Sequence, residues 1–168
     1  MYGEGQRYDR PLVVTDRGRN DIAERYLASK RNRVMKQING IHHIGLRVRS
    51  LEAARAFYEQ LGFEFIVGPI GPEPVAVMEH PSGININFIL NANTDASTSN
   101  VLMDLPEKHP GFNHIALEID DPGMVQQQLA AREIPITEIV ERPNGAIFFF
   151  VRDQDGNVIE FHKPANQI

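Results

Sequence analysis

The residues best suited to chemistry are two histidines and one glutamate that sit in short apolar segments. His43 lies at the head of HIGLRV, His114 at the head of HIALEI, and Glu160 within NVIEFHK. A carboxylate inside an apolar strand is costly to bury unless its charge is compensated. Two imidazoles and one carboxylate form a three-ligand set with open positions, which suits a divalent cation. The sequence therefore predicts a metal site in which the cation compensates Glu160.

The chain repeats itself from about residue 38 onward. His43 matches His114 at an offset of 71, while Gly83 matches Gly156 and Asn87 matches Glu160 at an offset of 73. An offset that drifts so little over a whole unit indicates an internal duplication. Each copy predicts a strand, a helix and three more strands. The predicted fold is α+β, with two βαβββ modules, at about 38–90 and 111–164, forming a curved mixed-sheet cup.

Strand periodicity decides which side chains share a face of the sheet, because successive side chains alternate. Aliphatic residues alternate with polar or small ones in the first and last strand of each module. The polar face is predicted to carry His43, Arg47, Asn87, His114, Glu118, Glu160 and His162. His162 is placed to act as a general acid or base. Arg47, Asn87, Glu118 and Phe150 are predicted substrate contacts, with an Arg47–Glu118 ion pair as the alternative for those two residues.

The helices and turns have clear boundary signals. Ser50 is the predicted N-cap of the first module's helix, and Gly62 is its stop. Asp120 or Asp121 caps the second helix, with Pro122 near its first turn. Asn144-Gly145 predicts a hairpin, and Asp155-Gly156 predicts the tight turn before the last strand.

Composition bounds the function. The 168 residues include no cysteine, which excludes disulfides, thiolate catalysis and cysteine-ligated zinc. A net charge of −5 argues against a nucleic-acid surface. No apolar leader or membrane-length stretch is evident, so we expect a cytoplasmic protein that acts on a small molecule.

The N-terminal part of the chain differs from the repeats. Residues 1–37 are predicted to be an extension with one helix beginning near Asn20, and residues 38–168 to be the main domain. The polar segment 91–110 between the modules is predicted to be a linker or a lid.

The segments HHIGLRV, SLEAARAFYEQLGF, HIALEIDD and DQDGNVIEF together resemble the vicinal-oxygen-chelate superfamily. It includes glyoxalase I, extradiol dioxygenases, methylmalonyl-CoA epimerase, fosfomycin-resistance transferases and bleomycin-resistance proteins. The resemblance places the four ligand slots at His43, Asn87, His114 and Glu160. In glyoxalase I the second slot holds a glutamate that takes part in proton transfer. Asn87 cannot take up a proton at neutral pH, which counts against that shuttle.

The resemblance implies a metal-dependent enzyme that acts on a small organic substrate chelating the cation through adjacent oxygens. Two histidines and a glutamate with a non-ligating fourth slot match extradiol dioxygenases and fosfomycin-resistance transferases. The apolar ERPNGAIFFF suits an organic or aromatic substrate better than a phosphonate. An extradiol-type dioxygenase is the first prediction. A glyoxalase-like lyase or isomerase and a metal-free resistance-type binding protein are the alternatives. Iron(II) or manganese(II) is the favoured metal, with nickel, cobalt or zinc as alternatives, and the resemblance implies a homodimer.

Overall fold

The computed structural model describes residues 37–94 and 99–165, and by compactness the chain divides after Ile41. The predicted helix near Asn20 lies outside the described residues. Within the unit that begins at His42, the described residues form eight strands and two helices. These are β1 (Ile44–Arg47), α1 (Leu51–Gln60), β2 (Glu64–Ile70), β3 (Val75–Glu79), β4 (Asn85–Ile89), β5 (His114–Glu118), α2 (Pro122–Ala131), β6 (Glu138–Glu141), β7 (Ile147–Arg152) and β8 (Val158–Lys163).

The two helices begin in the same way. The Ser50 hydroxyl accepts a hydrogen bond from the Ala53 N–H at 3.2 Å, and the Asp121 carboxylate accepts one from the Met124 N–H at 2.9 Å. Each cap satisfies an N–H that the first turn would leave without a partner. The Ser50 prediction is confirmed, and Asp121 is the second cap. Gly62 follows α1 with a φ of 92°, as its predicted role as helix stop requires.

Each module folds its strands into one four-stranded mixed sheet, in the orders β1-β4-β3-β2 and β5-β8-β7-β6. The first and last strands of each module pair in parallel, with Ile44 opposite Ile86 and Ile115 opposite Ile159. The remaining neighbours are antiparallel. The repeated order and register confirm the predicted α+β fold and its duplication.

One hydrophobic core runs through both modules. The aliphatic faces of the sheets and the inner faces of the helices supply it, as the alternation predicted. Its largest fully enclosed side chains include Tyr58, Phe88, Phe149, Met78 and Ile86. No helix within the described ranges is long and apolar enough to span a membrane.

The turn before the last strand has the same backbone in each module. The Gly83 N–H donates to the His80 carbonyl at 2.8 Å, and the Gly156 N–H donates to the Asp153 carbonyl at 3.0 Å. Both glycines have positive φ, at 89° and 81°, which other residues adopt only at a cost. The side chains of the two turns differ. Each turn lies beside the helix of the other module, and these two helix–turn contacts are the junctions between the modules.

At one junction, α1 of the first module meets the Asp153 turn of the second. The Tyr58 hydroxyl donates to Asp153 Oδ2 at 3.4 Å, and the Arg49 N–H donates to Asp155 Oδ2 at 3.1 Å. Burial raises the pKa of Tyr58, and the Asp153 carboxylate beside it raises that pKa further. Burial also raises the pKa of Asp153, against the hydrogen bonds it accepts from Asn157.

Candidate active site

Glu160 lies in the middle of β8 on the face of the sheet opposite the core. Its cross-strand neighbours are Ala116 on β5 and Phe150 on β7. The small side chain of Ala116 leaves room beside the carboxylate, and only 8% of Glu160 is exposed. A buried carboxylate needs partners of opposite charge or hydrogen-bond donors.

Two histidines supply those partners. His114 Nε2 lies 3.1 Å from Glu160 Oε2, and His162 Nδ1 lies 2.6 Å from Glu160 Oε1. Each carboxylate oxygen therefore meets one imidazole. His114 comes from the diagonal position on β5 and His162 from two residues along β8, so strand alternation alone brings the three groups to one face.

Aromatic rings enclose this cluster on the β7 side. The Phe148 ring stacks in parallel on His162 with centroids 5.4 Å apart, and the Phe150 ring meets His114 edge-on at 6.0 Å. The Arg142 guanidinium lies over Phe148, 5.5 Å from the ring centroid. The cluster thus combines two imidazoles, one carboxylate, an apolar wall and one cation at its margin.

His43 does not join this cluster. It precedes β1, is exposed, and its Nδ1 lies 2.9 Å from His42 Nδ1, so one of these nitrogens donates and the other accepts. Among the described residues, no three or more His, Cys, Asp or Glu side chains are grouped to hold a metal ion. The predicted ligand set of His43, His114 and Glu160 therefore stays a prediction, and the residue that joins the latter two is His162.

Two of the predicted ligands lie side by side. His114 Nε2 is 3.1 Å from Glu160 Oε2, within hydrogen-bond distance, and imidazole nitrogen and carboxylate oxygen are both donor types that bind divalent metals. The donor chemistry fits a divalent metal, while the third ligand is not in place.

The equivalent face of the first module carries amides instead of an acid. Asn87, opposite Gly45 on β1, takes the place of Glu160. Arg47 Nε donates to the Asn91 side chain at 2.7 Å, and Asn91 donates to Glu73 at 2.8 Å. Within the described residues Arg47 and Glu118 form no ion pair, so the alternative of a structural pair between them is not realised. The assignment of Arg47, Asn87, Glu118 and Phe150 to substrate stays a prediction.

Sequence reasoning missed Arg142 and Asn91. Arg142 stands just before the Asn144-Gly145 hairpin, and only the folded turn brings it over Phe148. Asn91 follows β4 in a segment predicted to be a linker or a lid. The alternation of Phe148 and Phe150 along β7 was the available signal for an aromatic wall, because their cross-strand partners are His162 and Glu160.

Comparison with known proteins identifies the family. The family model described as "Glyoxalase/Bleomycin resistance protein/Dioxygenase superfamily" matches residues 40–161. The chain belongs to this superfamily. A curated relative, methylmalonyl-CoA epimerase, mitochondrial, of Bos taurus, is 27% identical over 135 residues, covering 73% of this chain and 73% of its own.

Solved structures of the superfamily show the same fold. A glyoxylase/bleomycin resistance protein/dioxygenase domain from Frankia sp. EAN1pec superposes with a TM-score of 0.60 at 19% identity, covering 79% of this chain and 96% of its own. Lactoylglutathione lyase from Agrobacterium tumefaciens superposes with a TM-score of 0.56 at 22% identity, covering 76% and 96%. At these identities the likeness establishes the fold and leaves the activity to the residues of this chain.

Proposed function

We propose that the protein is a metal-dependent lyase or isomerase that moves a proton on a small, oxygen-chelating organic substrate. The observation that carries the proposal is the convergence of His114 and His162 on the two oxygens of Glu160. Members of this superfamily generally use a divalent metal. His114 and Glu160 would hold it here, with His43 as the predicted third ligand. The bound metal would supply Lewis-acid polarisation of the substrate oxygens.

His162 would serve as the proton-transfer residue. Its Nδ1 faces Glu160 Oε1 at 2.6 Å, so Nδ1 carries the hydrogen and donates it to the carboxylate. This tautomer leaves the lone pair of Nε2 free to accept a proton from a carbon next to a carbonyl group. Glu160 would stabilise the imidazolium that forms, and the parallel Phe148 ring would fix the plane of the imidazole.

The comparisons favour this alternative over the extradiol dioxygenase that the ligand pattern first suggested. Proteins named epimerase and lyase are among the relatives reported above, and the extradiol prediction gains no support from them. Asn87 still argues against a glyoxalase-type shuttle through the first module. His162 belongs to the second module, so proton transfer through His162 does not require an acid at position 87.

The test combines metal content with proton exchange. Wild type, Glu160→Gln and the control Glu138→Gln, at an exposed site on β6, are purified without chelator or tag and analysed for metals. Each protein is then incubated in D₂O with methylmalonyl-CoA, and deuterium at C2 is followed by mass spectrometry. We expect metal and exchange in wild type and the control, and at least about a 100-fold loss of exchange in Glu160→Gln.

Two outcomes would overturn the proposal. Exchange that survives Glu160→Gln and His162→Gln would place the base elsewhere. Absence of exchange in metal-loaded wild type, together with oxygen uptake on catechol, would favour an extradiol dioxygenase instead.

A metal-free binding protein is the second candidate, because His43 lies apart from the cluster. It predicts no stoichiometric metal after incubation with Fe(II), Mn(II), Co(II), Ni(II) or Zn(II). It also predicts an unchanged thermal midpoint in the presence of each ion, since a ligand stabilises only the state that binds it.

A further inference from the structure

The duplication creates two junctions at which a helix of one module faces the last turn of the other. At the first junction, α1 presents Tyr58 to Asp153. At the second, α2 and the His80 turn hold the matching positions. Leu129 corresponds to Tyr58, since the Phe63 N–H donates to the Tyr58 carbonyl just as the Ile134 N–H donates to the Leu129 carbonyl. A phenol and its acceptor at one junction are therefore replaced by an aliphatic side chain and an imidazole at the other.

A cavity of about 390 Å³ opens at the second junction. Its walls combine apolar and polar side chains from both modules. The apolar ones include Phe63, Ile84, Leu129 and Phe161, and the polar ones include His80, Ser82, Gln128 and Arg132. None of His114, Glu160 and His162 lines it, so this cavity is separate from the Glu160 cluster, and the predicted substrate contact Glu118 lies at its border.

The first junction has a cavity too, but it ends short of the helix–turn contact. That cavity, of about 560 Å³, is lined by Tyr58, Asp155 and Asn157 among others, and not by Asp153. The hydrogen bond from Tyr58 closes the space in front of Asp153. At the second junction Leu129 leaves the equivalent space open, and His80 lines it.

The polarity of the two turns is opposite. Asp153 Oδ1 accepts the Asp155 N–H at 2.9 Å, and His80 Nδ1 accepts the Ser82 N–H at 3.2 Å, so these two atoms play the same part. Because His80 Nδ1 accepts, its Nε2 bears the hydrogen. Nε2 lies against Gly62 in the cavity wall, where a β-carbon at position 62 would be 3.2 Å from it. The first turn thus offers an acceptor to a phenol, and the second offers a donor.

A positive charge accompanies this donor. Arg132 follows α2, is exposed, and its Nη1 donates to the Gln128 carbonyl at 2.8 Å. Within the described residues Arg132 joins no ion pair. Glu59, which also lines the cavity, is already paired with Arg55, while Glu118 contributes a negative charge on the β5 side. His80 and Arg132 both line the cavity, so its walls offer an anion one N–H donor and one positive charge.

We propose that this cavity is a second binding site, for a small aromatic carboxylate. The ring would occupy the space that the Tyr58 phenol fills at the other junction, packed between Phe63, Leu129 and Phe161. The carboxylate would accept from His80 Nε2 and pair with Arg132. This site is independent of the proposed proton-transfer function, and its ligand need not be the substrate.

Benzoate is the probe for the first experiment, in a ¹H–¹⁵N NMR titration of the full chain. We expect saturable shifts at Gly62, Ser82 and Leu129 with a dissociation constant in the millimolar range, as suits a ligand of about nine heavy atoms. Arg132→Gln should weaken binding about tenfold, which corresponds to the loss of one charge-assisted contact. Arg142→Gln, a matched arginine on the aromatic face of the candidate active site, should leave binding unchanged.

The reverse pattern overturns the proposal. Loss of benzoate binding in Arg142→Gln with none in Arg132→Gln would place the probe against Phe148. Preference for benzylamine over benzoate would show that Glu118 sets the charge of the cavity, and equal binding of phenol and benzoate would show that the donor and Arg132 contribute nothing.

A second pair of variants copies the first junction into the second. Leu129→Tyr should retain the fold and block benzoate, because its ring enters the space in front of His80. Adding His80→Asp should restore the phenol–carboxylate hydrogen bond and raise the urea midpoint above that of Leu129→Tyr alone. Full benzoate affinity in a folded Leu129→Tyr protein would also contradict the proposal.

Discussion

The two modules share one backbone plan but carry different chemistry on the same face. In the first, Asn87 stands opposite Gly45; in the second, Glu160 stands opposite Ala116 at the equivalent register. The acid is buried between two imidazoles, while the first module carries a hydrogen-bonded set of Arg47, Asn91 and Glu73. A duplicated scaffold therefore fixes where a side chain stands, and the residue type at that position decides what the module can do.

The largest effect is expected from the core residues that match across the modules. Phe88→Ala should lower the free energy of unfolding by about 3–5 kcal/mol, because Phe88 is fully enclosed with the Tyr58 ring 5.3 Å away. Phe161→Ala should cost about 1 kcal/mol less, since Phe161 borders the cavity at the second junction. Urea denaturation measures both values. Equal losses of unfolding free energy in the two variants would mean that the cavity does not weaken the packing around Phe161.

The next largest effect is expected on metal affinity, when the equivalent positions 160 and 87 of the two modules are compared. Glu160→Gln should weaken Mn²⁺ binding at least about 100-fold, because it removes the charged group of the proposed ligand set, and loss of an outer partner alone costs about 10–100-fold. Asn87→Ala should change the affinity less than about threefold if its slot does not ligate. Competition with a chelator gives both constants. A comparable loss in Asn87→Ala would make the first module a full contributor to the metal site.

The junction at Asp153 predicts a pH dependence of stability. Burial raises the pKa of Asp153 above its ordinary 3.8, so the folded protein holds this proton more tightly than the unfolded chain. Stability from this group is therefore present at low pH and is lost as the pH rises from about 3.8 through the raised value. Subtracting the unfolding free energy of Asp153→Asn from that of wild type should show this fall as the pH rises above about 3.8. A difference that is flat or rises with pH would contradict it.

The smallest effect concerns an ion pair on one helix only. Arg55 and Glu59 pair across one turn of α1, whereas Gln126 and Ala130 hold those positions in α2. Both side chains are exposed, so Glu59→Gln should cost only about 0.3–0.5 kcal/mol at low salt. The cost should vanish in about 1 M NaCl, where the screening length falls to about 3 Å. A loss unaffected by salt would point to a different role for Glu59.

The fold was predictable because its signals are local and repeated. The cap at Ser50, the stop at Gly62 and the positive-φ glycines at 83 and 156 each specify one boundary by the physics of a few neighbouring residues. Strand alternation then predicted which face each side chain would take. The duplication repeats the helix cap and the turn glycine, whereas Glu133, with a φ of 57°, takes the place of Gly62 in the second module.

The site was predictable only within one module. Glu160, His114 and His162 lie on two paired strands, so register alone brings them together. The position of His43 depends on the path of the chain before β1 and on how two sheets meet, and neither is encoded in a short pattern. The contact of Arg142 with Phe148 was not predictable for the same reason, since it depends on the geometry of a turn.

The parallel pairing of first and last strands has a consequence for local opening. β1 and β5 each have one hydrogen-bonded neighbour in their sheet, a strand about forty residues away in sequence, whereas β3, β4, β7 and β8 each have two. Closing so long a loop is entropically costly, and a strand held on one side is the first to detach. His43 precedes β1 and His114 begins β5, so the two strands that carry these predicted ligands are also expected to exchange their amide hydrogens fastest.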